Sequence, residues 1–83
     1  MRPWQDDEGW HIDVRGLAPP QPLVQILQLL HGLPRNAVVT VHHDRDPVLL
    51  YPELAQIGWT AERIAGAPGE VRLRLSAVEP GDG

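Results

Sequence analysis

The pattern of apolar and polar positions along the chain predicts four strands. Apolar and polar residues alternate over residues 10–14, as is typical of a strand with one buried face. Residues 37–43 form a largely β-branched run, which favours a central strand. Residues 59–65 and 70–78 predict two more strands, joined by a turn at 66–69 that contains two glycines and a proline.

A leucine-rich segment between the first two strands predicts a helix that begins at about Pro20 and ends at His31. Its apolar residues recur with helical spacing, and glutamines mark the opposite side. Pro19, Pro20 and Pro22 lie at the start of this helix, where a missing backbone N–H costs little. Gly32 is expected to end the helix in a left-handed conformation.

The second helix is predicted in two short pieces, residues 47–50 and 52–57, because Pro52 interrupts a longer helical pattern. Asp46 is a favourable N-cap for the first piece, and Pro47 is a favourable first helical residue. The two pieces together would connect the second strand to the third.

The element order β-α-β-α-β-β predicts an α+β fold, a two-layer α/β sandwich with a mixed four-stranded sheet. Right-handed crossovers would place both helices on one face of that sheet. Residues 1–83 are expected to form a single domain, since a chain of this length supports one modest core. Residues 1–8 are expected to be a loose N-terminal arm and residues 79–83 a flexible tail.

The other face of the sheet is expected to remain open to water. Alternation along the four strands would place seven polar side chains there: His11, Asp13, Thr40, His42, Glu62, Arg72 and Arg74. Opposite charges on paired strands would each contribute about 0.2–1 kcal/mol.

Composition narrows the classes of function. The net charge is −4 and the chain has no lysine, which argues against a nucleic-acid partner. The chain has no cysteine, which excludes thiolate catalysis, persulfide carriage and cysteine-ligated metal centres. Because we find neither an apolar leader nor an apolar run of about 20 residues, we expect a cytoplasmic protein that does not enter a membrane.

The segment "IDVRGLAPPQP", residues 12–22, resembles the "D-A-x-G-L-x-C-P-x-P" signature of the TusA/SirA sulfur-carrier superfamily. The matching positions are Asp13, Gly16, Leu17, Pro20 and Pro22. The resemblance extends over about residues 10–76 and implies a two-layer sandwich with sheet order 1-2-4-3. Pro19 stands where those carriers have their reactive cysteine, so the resemblance does not extend to sulfur transfer.

The same segment, together with "DRDP" at 44–47 and "IGW" at 57–59, resembles more closely a bacterial domain-of-unknown-function family, number 2249. That family has no established activity. The resemblance implies a genomic context near genes of nitrogen-oxide respiration and hemerythrin-like proteins, but it implies no mechanism.

A cluster of imidazoles and carboxylates is the strongest candidate for chemistry. His11, His42, His43 and Asp44 are of the types that ligate transition metals. Their spacing matches no recognised ligand motif, however, and neighbours on a strand point to opposite faces. We therefore expect mainly structural or solvated roles, and we keep a metal- or redox-linked accessory protein as the alternative function.

Arg15 has two interpretations. Its guanidinium could hold an anion beside the start of the first helix. Alternatively, it pairs with Asp44 or Asp46 across the strand ends, which we favour because the prolines remove amide donors from that helix start.

We expect a non-catalytic protein-interaction module that uses no cofactor. Trp4 is a candidate contact because tryptophan is enriched in interface hot spots. The full set of candidate partner-binding residues is Trp4, Arg15, Pro19, Arg72 and Arg74. A homodimer through the open sheet face or the free edge of the first strand remains an alternative.

Overall fold

The computed structural model describes residues 3–78. This part of the chain forms β1 (Trp4–Asp6), β2 (Gly9–Asp13), α1 (Gln21–His31), β3 (Val38–His43), α2 (Leu50–Gln56), β4 (Trp59–Ile64) and β5 (Val71–Ala77). The result is a small α+β fold with one mixed sheet in the order β1-β2-β3-β5-β4. The predicted tail at 79–83 lies outside the described residues.

The N-terminal segment corrects two predictions. Residues 1–8 are expected to be a loose arm, of which residues 1 and 2 lie outside the described part of the chain. Within residues 3–8, β1 pairs antiparallel with β2, with Trp4 opposite His11 and Asp6 opposite Gly9. The sheet therefore has five strands among residues 3–78 rather than four. The turn between the two strands lies at residues 7–8, and Gly9, which follows it as the first residue of β2, has a φ of 114°, a value that favours glycine.

The other four strands begin and end within one residue of their predicted bounds. β2 pairs parallel with β3, whereas β5 pairs antiparallel with both β3 and β4. The strands predicted in the order 1-2-4-3 are thus β2, β3, β5 and β4, and β1 adds an edge outside β2.

The core lies between the sheet and the two helices. Ile26 and Leu30 of α1 pack into it together with Leu50 and Leu54 of α2. The sheet contributes Ile12, Val14, Val39, Val41, Trp59, Leu73 and Leu75. Burying one such aliphatic side chain stabilises the fold by about 1.5–3 kcal/mol. Both helices therefore cover the same face of the sheet.

The first helix begins close to its predicted start and ends at His31 as predicted, but the conformation of its C-cap differs. Pro20 is the N-cap and Pro22 lies in the first turn. Gly32 has a φ of −94°, so the predicted left-handed cap is wrong. The helix ends instead with the Gly32 N–H donating to the Leu29 carbonyl at 3.1 Å. That bond does not require a glycine.

The second helix is one piece rather than two. Pro52 is the third residue of α2, where the backbone N–H has no acceptor within the helix, so its proline ring is tolerated. Asp46 was predicted as an N-cap, but the N-cap is Leu49 and no side chain caps the helix. Neither helix in the described part of the chain is long and apolar enough to cross a membrane.

Candidate functional site

An apolar pocket opens at the end of β3, between the start of α1 and the segment that leads into α2. Its volume is about 200 Å³. We call it the proline pocket, and its principal lining residues are Leu17, Pro19, Pro20, His43, Val48 and Leu49. Pro19, a candidate partner-binding residue, is thus part of a concave surface.

The wall on the α1 side is rigid because proline rings form it. Pro19 and Pro20 precede the helix and Pro22 lies within its first turn, and all three line the pocket. The Pro19–Pro20 peptide bond is cis. A proline side chain has almost no rotamer freedom to lose when a ligand covers it. The wall therefore keeps its shape in the absence of a ligand.

The opposite wall exposes two apolar side chains. Val48 is 63% exposed and Leu49 is 72% exposed. A tight turn holds them, in which the Val48 N–H donates to the Asp46 carbonyl and the Leu50 N–H donates to the Pro47 carbonyl. Adjacent exposed apolar side chains beside a pocket are typical of an interaction site.

His43 lies at the buried side of the pocket and has a fixed orientation. Its Nδ1 accepts hydrogen bonds from the backbone N–H groups of Asp44 at 2.9 Å and Arg45 at 3.3 Å. Because this nitrogen is an acceptor, the neutral ring carries its proton on Nε2. Asp44 Oδ1 also lies 3.1 Å from Nδ1, but the two amide protons already occupy that position.

Asp44 joins the two loops that border the pocket. Its Oδ2 accepts a hydrogen bond from the Gly16 N–H at 3.0 Å. This backbone hydrogen bond is the main reason that the pKa of the Asp44 carboxyl lies below its usual value. Asp44 therefore holds the loop before α1 against the end of β3.

The predicted pairing of Arg15 with Asp44 or Asp46 is wrong. Arg15 forms a bidentate pair with Asp13, with Nε 2.9 Å from Oδ1 and Nη2 2.7 Å from Oδ2. These bonds lower the pKa of Asp13. Asp46 instead accepts a hydrogen bond from the Tyr51 hydroxyl at 2.5 Å. Asp13 and Asp46 are thus each paired with a residue close to them in sequence.

The strand registers place all seven predicted polar side chains on the face away from the helices. One row across the sheet contains Trp4, His11, Thr40, Arg74 and Glu62, and the next contains Asp13, His42 and Arg72. The candidate partner-binding residues Trp4, Arg72 and Arg74 therefore share this open face, whereas the proline pocket lies on the helix side of the sheet.

Two histidines meet on the open face. His11 Nδ1 lies 3.1 Å from His42 Nε2, and His42 Nδ1 lies 2.6 Å from Glu70 Oε2. The Trp4 ring stacks on both imidazoles, with ring centroids 5.1 Å from His11 and 5.7 Å from His42. Trp4 is 44% exposed, so it covers the pair from the solvent side.

Glu70, which contacts His42, is itself held in place by three hydrogen bonds. Arg72 donates to both of its carboxylate oxygens, at 2.8 and 3.2 Å, and the Ala67 N–H donates at 2.9 Å. The Arg72 hydrogen bonds are the main cause that lowers the pKa of Glu70 to about 2, with the Ala67 and His42 bonds adding to it. Arg72, predicted to contact a partner, is therefore engaged within the sheet.

The four candidate metal ligands do not form one site. His43 is buried on the helix face, whereas His11 and His42 lie on the open face. Asp44 is tied to Gly16 at the strand ends. Within residues 3–78, no three histidine or carboxylate side chains are arranged to hold a metal ion.

Two residues that contact the histidine pair were missed in the sequence: Asp6, whose Oδ2 lies 2.9 Å from His11 Nε2, and Glu70. Asp6 fell in the segment expected to be loose, although acidic residues followed by Gly9 are a signal for a hairpin turn. Glu70 was assigned only to the start of a strand. Its position two residues before Arg72, on the same side of that strand, was the available signal.

A sequence comparison identifies the family. The model of a family described as "Uncharacterized conserved protein (DUF2249)" matches residues 11–77. No curated protein matches the chain. The matched residues include the whole proline pocket and both histidines of the open face, but not β1. Because the match extends over most of the chain, the protein belongs to the DUF2249 family of uncharacterised conserved proteins.

Proposed function

We propose that this protein is a non-catalytic docking module that binds a protein partner through the proline pocket. In this proposal it is a TusA/SirA-like domain of the bacterial cytoplasm that has no sulfur-carrier activity. One observation carries the proposal: a rigid apolar pocket with Val48 and Leu49 exposed at its rim. Pro19 lies in this pocket where the resembling carriers have their thiol.

The size and polarity of the pocket favour a protein side chain as its occupant. Its volume of about 200 Å³ is below the 300–1,000 Å³ that is usual for small-molecule sites. Proline, valine and leucine side chains offer no hydrogen bonds to a polar metabolite. A leucine or an aromatic side chain from a partner would be an anchor of the kind that dominates interface hot spots.

The positive charge of Arg45 at the rim of the pocket indicates that the partner carries a negative charge. Arg45 lines the pocket, and its side chain is 64% exposed. Its ion contact is a long one, 3.6 Å from Asp44 Oδ1, so the guanidinium remains able to bind a second carboxylate. The partner segment we propose therefore carries an apolar anchor with an acidic residue close to it in sequence.

The chemistry of the pocket supports a role without catalysis. Pro19 has no nucleophilic or titratable group, and the Nδ1 atom of His43 is held by two backbone amides. A general base needs a free nitrogen within hydrogen-bond reach of the substrate, together with a cleft that holds that substrate. No observation on the described residues favours the metal- or redox-linked alternative.

The test uses three forms of the chain as bait in a lysate of the source cells: wild type, Leu49→Ser and Val78→Ser. Val78 is the matched control, because it is also an exposed apolar residue, 50% accessible, and follows β5 at the other end of the sheet. Each captured protein is then purified and titrated calorimetrically against all three forms.

We expect one partner whose dissociation constant rises about tenfold or more with Leu49→Ser and is unchanged with Val78→Ser. Equal affinity for all three forms would contradict the proposal. Light scattering of the wild type tests whether a second copy occupies the pocket. A dimer that Leu49→Ser dissociates would also contradict a foreign partner.

A further inference from the structure

Four titratable side chains form a line across the open face. Asp6 Oδ2 lies 2.9 Å from His11 Nε2, His11 Nδ1 lies 3.1 Å from His42 Nε2, and His42 Nδ1 lies 2.6 Å from Glu70 Oε2. The line begins on β1, crosses β2 and β3, and ends beside β5. A carboxylate thus stands at each end of a pair of imidazoles.

The Glu70 end fixes where the protons of His42 lie. Arg72 and the Ala67 N–H hold Glu70 as a carboxylate, so Glu70 is an acceptor and His42 Nδ1 donates to it. A neutral imidazole has one donor and one acceptor nitrogen. His42 Nε2 is therefore an acceptor, and the 3.1 Å contact requires His11 Nδ1 to donate.

With these protons assigned, two hydrogen-bond acceptors face each other at the Asp6 end of the line: Asp6 Oδ2 and His11 Nε2. If His11 were neutral, its Nε2 would present a lone pair to a carboxylate oxygen only 2.9 Å away. This nitrogen is buried and has no hydrogen bond of good geometry, since the Asp6 contact is close but poorly aligned. A second proton on His11 turns this repulsive contact into an ion pair.

We propose that His11 and His42 together hold three ring protons, one more than two neutral rings, and that this extra proton latches β1 and Trp4 onto the sheet. The latch is a pH-sensitive device that does not depend on the proline pocket. Its parts are Asp6 on β1, the histidine pair, and the Trp4 ring.

The charges around the pair are compatible with one added positive charge. The groups that face it are Asp6 and Glu8 from β1 and its turn, Asp13 and Arg15 from β2 and its loop, and Glu70, Arg72 and Arg74 from the β5 side. Arg15 neutralises Asp13 and Arg72 neutralises Glu70. Asp6 has only His11 as its cationic partner among the described contacts.

Trp4 supplies a second attraction for the protonated form. Its ring lies nearly parallel to the His11 ring, with 5° between the planes and 5.1 Å between the centroids. A cation within about 6 Å of the face of a tryptophan is attracted by the ring quadrupole. Protonation of His11 therefore strengthens two contacts, and both of them hold β1.

The strand held in this way is short enough to be released. β1 has three residues, all exposed, and lies at the edge of the sheet. A strand of this length has little stability of its own. Loss of the extra proton would remove the Asp6 ion pair and the cation–π contact together, so β1 would separate and expose the edge of β2.

The test measures the ring protons directly. Nitrogen-15 spectra of the histidine rings, recorded with EDTA present, report the protonation of each nitrogen as the pH is raised, and the exposed His31 serves as an internal reference. Hydrogen-exchange protection factors of Trp4–Asp6 are followed over the same pH range. We expect protons on both His11 nitrogens at low pH, and about a tenfold loss of β1 protection when one leaves.

Asp6→Asn is the decisive variant. The amide oxygen can still accept the Glu8 N–H, which Asp6 Oδ1 binds at 2.8 Å, while the amide N–H can donate to a neutral His11 Nε2. This variant should therefore fold, hold only two ring protons, and keep β1 protected throughout the pH range in which the wild type is folded. Asp7→Asn, a neighbouring exposed acid, should behave as the wild type does.

Three results would overturn the proposal. One is a neutral His11 throughout the pH range in which the wild type is folded. Another is β1 protection that changes equally with pH in the wild type and in Asp6→Asn. The third is a stoichiometric metal ion, found without EDTA, whose removal changes the His11 and His42 resonances.

Discussion

The Gly16 N–H donates to Asp44 Oδ2 at 3.0 Å, and this hydrogen bond connects the two loops on which the proline pocket is built. Gly16 precedes the prolines, and Asp44 follows His43 at the end of β3. The bond therefore fixes the separation of the two pocket walls. It also gives Asp44 a structural role that requires no chemistry of its own.

Replacing Asp44 tests this connection. Asp44→Ala removes the acceptor and should lower the melting temperature by a few degrees, because the Gly16 N–H then has no partner in the protein. Asp44→Asn keeps an oxygen acceptor and should recover most of that loss. Calorimetry of both variants measures the difference. Equal melting temperatures for the wild type and Asp44→Ala would show that the bond does not hold the loops.

Glu70 predicts a loss of stability in acid. Its side chain is 3% exposed, and its pKa is lowered from 4.5 to about 2. The unfolded state therefore binds the proton more readily, so the stabilisation is complete above about pH 5 and is lost as the pH falls towards 2. We expect ionised Glu70 to contribute on the order of 2–3 kcal/mol to the free energy of unfolding. Urea unfolding at a series of pH values measures this contribution.

Glu70→Gln provides the comparison for that pH dependence. This variant cannot titrate, so its stability should fall less steeply than that of the wild type between pH 5 and 2. It should also be less stable at neutral pH, because Arg72 loses a buried carboxylate. Parallel curves for the two proteins would contradict the low pKa of Glu70.

Tyr51 is the single tyrosine of the chain, so its ionisation can be followed by ultraviolet absorbance. Burial, followed by the hydrogen bond to Asp46, raises the pKa of Tyr51 to about 12. Asp46→Asn should lower it only part of the way towards 10, because burial is the larger cause. A wild-type midpoint near 10 in the folded protein would contradict the Asp46–Tyr51 contact.

Gly9→Ala should weaken the attachment of β1. An added Cβ would lie 2.7 Å from the Val38 carbonyl oxygen, and the φ of 114° is itself unfavourable for alanine. Gly69 is the matched control, with a φ of 80° and no atom within 4 Å of the added Cβ. We expect a cost of about 1–2 kcal/mol for Gly69→Ala and a larger one for Gly9→Ala in urea unfolding. If both substitutions lowered the free energy of unfolding equally, the contact of the added Cβ with the Val38 carbonyl oxygen would have no effect on stability.

The alternation of polar residues predicted the open face well, because period-two spacing in a paired strand determines which side chains share a side. His11, Thr40 and Arg74 fall in one row in the register. The meeting of His42 with Glu70 was not predictable in this way. It depends on how the turn before β5 folds back over the sheet, and this is set by contacts between residues far apart in sequence.

The errors in the predicted elements have local causes. β1 has three residues, too few to show a period, and its strand character comes from pairing with β2. The pattern predicts a break at Pro52, but a proline in the first turn is compatible with a helix. The prolines before α1 were placed correctly, whereas the pocket was missed because its other wall, Val48 and Leu49, was predicted to be helical.

The central claim, that a protein partner binds at the proline pocket, is tested most directly by methyl-group NMR of the chain titrated with the purified partner. We expect large shifts for the methyl groups of Leu17, Leu23 and Leu49, which line the pocket, and a small shift for the methyl group of Thr40 on the open face. Shifts confined to the open face, with the pocket methyl groups unchanged, would contradict it.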